Sequence, residues 1–408
     1  MQFGWVDFSK EERDKALGFL QALQEQGAVD ELGIGTIRDQ IADALFPGTS
    51  TLITRAKYYL LVPCIIREAT DGSHGWNVRE VLKWIDDQER ESAEKMIRRH
   101  AGDAGSQGII GYQALRNKRW VKRAPSELYW NGIRMFGICP DQGASLRDYI
   151  KKSLVYSKLH GAGLGKAREE EENTGDDRSA GEVYGFKPLD LRPLNPRRWR
   201  SNLDIALSPA EARFLKDKIM SAEGSRGSVF AFVLRENHDL KEYAGFDAFA
   251  EAFRDRVGER NRRLLIFGQQ FMRFVYAARV RYNVVFQRGR SQEAENAWTE
   301  KVLPELVQDM DFDLKGTLAA LDFHATAHLV DFIEGLQLAF RSGDFVAADR
   351  FLVEQEVRIK GEGRAKLLDR NRDKYPSDKW IGGDWLDYRL GDTARIVDDI
   401  RKGLEGLE

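Results

Sequence analysis

The chain has 408 residues, more than one hydrophobic core usually serves, so two or three domains are expected. Hydrophobic residues make up 42% and charged residues 31%, which supplies apolar surface for a folded core and too much charge for a bilayer-embedded protein. A formal net charge of −2 excludes a histone-like protein that coats nucleic acid by bulk charge, while a local basic groove remains compatible with it.

Only ten prolines occur, and strand-forming residues rarely alternate with polar ones, so a mainly α, multi-helical fold with few or no strands is expected. The first residues, Met1 to Asp7, lack the basic-then-apolar order of a signal peptide. No run of about 18 uncharged apolar residues exists, so no membrane association is expected. Cys64 and Cys139 each sit among apolar neighbours and read as buried small hydrophobes, which fits a cytoplasmic setting.

In chain order, Ser9-Lys10-Glu11-Glu12 is a capping box opening an amphipathic helix with Leu17, Leu20 and Leu23 on one face. Thr36 to Leu45 reads as a helix and Phe46-Pro47-Gly48-Thr49 as a turn. Ser50 or Thr51 then offers a cap for a second helix carrying Thr54, Arg55, Lys57 and Tyr58. That pattern fits either a helix-turn-helix, whose second helix enters the major groove, or a buried helical hairpin, because Tyr58 to Pro63 is strongly apolar. Next comes a basic segment mixed with aromatics: Arg116, Lys118, Arg119, Trp120, Lys122, Arg123, Trp130 and Arg134, a net of +5 against Glu127.

From about Gly161 to Gly185 the chain turns glycine-rich and acidic, with a net of −4 over Lys166 to Glu182. Such a stretch buries little, so the expected division is an N-terminal helical domain at 1–160, a flexible linker or loop at 161–185 and a C-terminal helical domain at 186–408. Gly161 to Lys166 does not make a phosphate loop, since His160 stands where the first glycine belongs and Ala167 where a magnesium-holding hydroxyl is needed. A second basic cluster follows, with Arg192, Arg197, Arg198, Trp199 and Arg200.

Ser208-Pro209-Ala210-Glu211 is a second capping box, with proline at the first helical position. The longest amphipathic pattern runs from about 263 to 286, with Leu264, Phe267, Phe271, Val275, Ala278, Tyr282 and Val285 on one face and Gln270, Arg273, Ala277 and Arg281 on another. Between Arg254 and Arg290 stand ten arginines, Arg262, Arg263, Arg273 and Arg281 among them, and no lysine. With only Asp255 and Glu259 opposing, the net is +8, which suits either phosphate recognition or buried ion pairs. His324 and His328 are four apart near Asp322 and Asp331, a weak candidate for a metal site on one helix face and otherwise two packed histidines. A fourth basic cluster spans Arg358 to Lys374, opposed by Glu362, Asp369 and Asp373. The Gly-Trp-rich stretch 380–392 reads as a structured turn packing Trp380, Trp385 and Tyr388. Ile396, Ile400 and Leu404 mark a closing helix.

Several phrases together carry a resemblance: Phe3 to Ser9, Asp30 to Asp39, Leu45 to Thr51, Thr54 to Ala56, Arg123 to Trp130 and Leu386 to Arg389. As a set, spread over nearly the full length, they resemble the bacterial domain-of-unknown-function family numbered 6361. The resemblance implies a bacterial origin and one full-length architecture. It also implies an accessory place in mobile or phage-defence gene clusters beside helicases and nucleases, and it brings no catalytic residue with it.

No catalytic motif and no cofactor-binding motif emerges from the chain. Guanidinium groups grip phosphates with paired donors and indole faces stack on bases, so the expected function is a nucleic-acid-binding accessory subunit. Its expected partners are DNA or RNA and proteins such as a helicase or nuclease, with the four clusters converging on one surface. The alternatives are a protein-interaction scaffold whose arginines pair with carboxylates, and a metal-dependent nuclease or hydrolase using His324 and His328.

Overall fold

The computed structural model describes residues 30–72, 75–100, 108–161, 186–191, 199–201, 203–290, 292–304, 311–375, 380–383 and 385–406. Among these the long regular elements are all α-helices and no strand occurs. The helices are α1 Gly35–Leu45, α2 Tyr58–Gly72, α3 Val78–Arg99, α4 Tyr112–Arg116, α5 Pro125–Met135 and α6 Leu146–Gly161. They continue with α7 Pro209–Ser221, α8 Val229–Glu236, α9 Phe246–Phe253, α10 Glu259–Gln287, α11 Gln292–Asn296 and α12 Leu314–Leu321. The last are α13 Ala327–Ser342, α14 Phe345–Lys360 and α15 Leu390–Glu405. The capping box at Ser9, the stretch 162–185, and Arg192, Arg197 and Arg198 lie outside the described residues.

The chain forms two compact units, and each draws on sequence from either side of residues 161–185. Unit 1 comprises 1–41 with 250–388, and unit 2 comprises 42–249 with 389–408.

Unit 2 is organised by aromatic packing around α2. Burial of every residue from Tyr58 to Ile66 marks α2 as a core helix. Tyr59 meets Tyr129 at 4.7 Å and Phe136 at 5.0 Å, and Phe136 continues to Phe230 at 6.1 Å. The Ser208 capping box is formed as read: its hydroxyl accepts from the Glu211 amide while the Glu211 carboxylate accepts from the Ser208 amide at 2.9 Å. The closing helix α15 buries Ile396 and Ile400 and packs on α7.

The helix-turn-helix expectation is corrected here. The turn after α1 is present, but residues 50–57 are not helical and the next helix starts at Tyr58. The polar groups of this connection are engaged within unit 2. Arg55 Nε donates to both Asp399 oxygens at 3.0 Å, and Lys57 Nζ reaches Glu211 at 2.7 Å. A recognition helix needs its polar face free, and here that segment is an anchored loop followed by core.

In unit 1, α10 is the central element. The expected helix at 263–286 is present and longer, and burial is not confined to one stripe: Ala277, Gln269 and Asn283 are buried along with the apolar face. Phe274 packs on Phe312 and Phe340, and Phe340 on Trp298. A helix buried on most sides has partners on most sides, and this bears directly on its arginines.

Candidate nucleic-acid interface

The basic segment of unit 2 lies between α4 and α5, and three fixings hold it. At its start, the amides of Asn117 and Arg119 both donate to Ala114 O, and the Lys118 amide donates to Leu115 O, closing the end of α4. Lys118 adopts the left-handed conformation there, with φ of 54°. In its middle, Trp120 Nε1 donates to Asp86 Oδ1 at 2.8 Å. A Cβ added to Gly111 would stand 2.5 Å from the Trp120 ring, so the Gly111 backbone lies directly against the indole.

The third fixing is at the end of the loop. α5 has alanine at its N-cap, which offers no side-chain acceptor to the first amides of the helix. Glu89 supplies one from α3: the Ser126 amide donates to Glu89 Oε1 at 2.6 Å and the Ser126 hydroxyl to Oε2 at 3.1 Å. Burial pushes the Glu89 carboxyl up to about 8, against the downward pull of the Ser126 bonds. Asp86 and Glu89 are three residues apart on α3, so one helix face holds both the middle and the end of the loop.

On this frame Arg116, Lys118, Arg119, Lys122 and Arg123 are all exposed. None is within ion-pair distance of a carboxylate among the described residues, although Arg123 acts on Glu127 at longer range. Arg79 and Lys83 precede Asp86 by seven and three residues, which places them on the same face of α3. Both are exposed and likewise have no carboxylate within ion-pair distance among the described residues. Trp130, by contrast, is buried and donates to Ala144 O at 2.9 Å, and Arg134 donates to Gln142 O and Asn131 Oδ1.

Of the second cluster, the described members Trp199 and Arg200 do not join this surface. Trp199 Nε1 donates to Glu68 Oε2 at 3.0 Å, and Arg200 pairs with the same carboxylate and with Gln88. Arg200 also lies 4.4 Å from the Trp199 ring and 6.0 Å from Trp84. Trp84 and Gln88 are each two residues from Asp86, about 200° around a helix of 3.6 residues per turn. Trp199 and Arg200 therefore engage the face of α3 opposite the one that holds the basic loop, and for these two residues the expected convergence is corrected.

The arginines of α10 are largely neutralised within unit 1. Arg281 makes a two-point pair with Asp349, at 2.6 and 2.7 Å, between the rings of Trp298 and Phe345. Arg263 pairs with Glu259 at 2.6 Å and Arg262 with Asp255 at 3.4 Å, both exposed, and Arg273 is half-buried and also engaged. The 358–374 cluster shows the same tendency: Lys360 meets Glu31 and Glu356, Lys366 meets Glu31 at 2.9 Å, and Arg370 pairs with Glu362.

His324 and His328 do not share a helix face. His324 lies in the loop before the Thr326 N-cap, held through its backbone by the Gln40 side chain at 2.7 Å in both directions, while His328 is in the first turn of α13. Both are exposed, and no group of three or more metal-binding side chains occurs among the described residues. Cys64 and Cys139 are buried and free, and burial raises both thiols, to about 12 and about 11. No described helix is long and apolar enough to cross a membrane.

The whole loop, with Asp86, Glu89 and Ser126, falls inside a stretch that matches a known family. Residues 1–163 match the model of DUF6361, a family of unknown function. The resemblance carried by the sequence motifs thus holds for this part of the chain, and Leu386 to Arg389 lies beyond it. No curated protein and no solved structure matches the chain. The DUF6361 segment supplies α1 to α6 and with them the loop's entire support. Sequence reasoning named the loop cations but missed Arg79, Lys83, Asp86 and Glu89. A signal for the first three was available in their spacing of four and three along a capped helix.

Proposed function

We propose that the protein is a nucleic-acid-binding accessory subunit of a bacterial multi-protein assembly of the phage-defence kind, and that the 116–123 loop is its contact. One observation carries this reading: among the described residues, five exposed cations stand without ion-pair partners on a loop fixed at three points, whereas the described cations of the other basic clusters are largely engaged. Unpaired, preordered guanidinium and ammonium groups lose little on meeting phosphates, and the released counterions favour binding.

The test is fluorescence anisotropy with labelled nucleic acid over a series of salt concentrations. Saturable binding that weakens steeply with salt is expected. Joint reversal of three charges (Arg119→Glu, Lys122→Glu, Arg123→Glu) should weaken it by at least about tenfold and flatten the log–log salt slope by about 2–3. Thermal unfolding should stay unchanged, because these side chains are exposed. Equal affinity of variant and parent would remove the loop from the contact, and no affinity for DNA or RNA at low salt would sink the function itself.

The scaffold reading is favoured by a different observation, the pairing of Arg281 with Asp349 inside unit 1. It concerns α10, and it predicts a stable protein partner in a pull-down that charge reversal at 119–123 leaves intact.

A further inference from the structure

Resting on the reading of 116–123 as the contact, we infer that this surface takes duplex nucleic acid by its sugar-phosphate backbone, with no base stacking and no sequence preference. The composition of the segment suggests the opposite, since tryptophans beside arginines are the usual platform for unstacked bases. The structure commits each of them elsewhere. Trp120 has its N–H on Asp86 and its ring against the Gly111 backbone. Trp130 is buried, and Trp199 is bonded to Glu68 and covered by the Arg200 guanidinium. Tyr112 is half-buried beneath Arg116. No aromatic side chain of unit 2 is exposed among the described residues.

A surface of cations without stacking faces discriminates by charge density and order. Duplex DNA carries one charge per about 1.7 Å of axis, and each cation that displaces its counterions contributes about 0.9 to the salt slope, against about 0.7 on a single strand. A single strand must also be ordered on binding, and without stacking nothing on this surface offsets that loss. The loop side is already ordered, through the α4 closure, Asp86 and Glu89. A rigid array of cations is matched by a rigid array of phosphates. Phosphate contacts fix position on a duplex but carry no base identity.

The experiment uses the full chain and measures anisotropy for a duplex of about 20 base pairs, each of its separated strands, and a second duplex of unrelated sequence. The two duplexes should bind within about threefold of each other, and each single strand at least about tenfold more weakly at equal salt. Phe replacing the indole at 120 (Trp120→Phe), which also removes the bond to Asp86, should weaken single-strand binding no more than duplex binding, whereas a stacking tryptophan would show a loss confined to the strands. Tighter binding of a single strand, or selection of one duplex by about 100-fold, would overturn the inference while leaving the proposed function standing. Absence of binding to every probe would overturn both.

Discussion

At the residue scale, two charged side chains show how burial decides what a charge does. Glu89 is buried and caps α5, and its carboxyl is raised from 4.5 to about 8 because desolvation outweighs the Ser126 bonds. A carboxyl whose folded value lies above its unfolded one binds its proton more tightly in the folded state. Its stability contribution is therefore full below about 4.5 and is lost as pH rises through about 8. Glu89→Gln keeps an acceptor for the Ser126 amide and removes the ionisation. Melting temperatures measured across that window should fall with pH more for the parent than for Glu89→Gln, and parallel curves would refute the assignment. Arg281 is the opposite case, a permanent charge made tolerable by Asp349 and two aromatic faces. Arg281→Ala should cost about 2–3 kcal/mol in urea unfolding, since it strands a charged acceptor. Arg263→Ala, which breaks only an exposed pair with Glu259, should cost under about 0.5 kcal/mol.

At the scale of elements, the close approach of α5 to the turn after α1 is set by glycine. A Cβ at Gly132 would lie 2.3 Å from the Tyr59 ring and 2.5 Å from Gly48 O, the carbonyl that accepts the Tyr59 hydroxyl at 2.8 Å. Gly132→Ala should therefore destabilise by about 1–3 kcal/mol despite alanine's better helix propensity, and a variant as stable as the parent in chemical denaturation would contradict this packing. Elements with a local signature were legible in the sequence: the Ser208 box, the periodic α10 and the closing α15. The segment 50–57 was misread because Ser50 and Thr51 look like caps, while the groups that hold the loop open, Glu211 and Asp399, lie more than a hundred residues away. The candidate site was half legible for the same reason. Its cations announce themselves by clustering, but whether a cation is paired depends on contacts such as Arg281 with Asp349 or Arg200 with Glu68, which no local pattern contains.

At the scale of the whole molecule, the acidic stretch at 161–185 invites a serial division of the chain, and the contacts of unit 2 argue for a different outcome on cleavage. Residues on either side of that stretch are joined directly: the Asp190 amide donates to Ile138 O at 2.8 Å, and Lys57 pairs with Glu211 across 154 residues. Further along, Asp399 of α15 takes the Arg55 guanidinium and the Ala56 amide. Beside these bonds, Phe136 at the C-terminal cap of α5 packs on Phe230 of α8 in the apolar core of the unit. Such contacts form a single cooperative core when they share buried aromatic neighbours, and cutting a connecting segment removes chain connectivity without removing any of them. A specific protease site inserted within 162–185 should thus yield two fragments on a denaturing gel that co-elute under native conditions and unfold in one transition with the parent's unit 2. Separation of the fragments by native gel filtration, each retaining its own helical signal, would instead establish two serial domains. In that case the frame that holds the basic loop would fold without the C-terminal fragment.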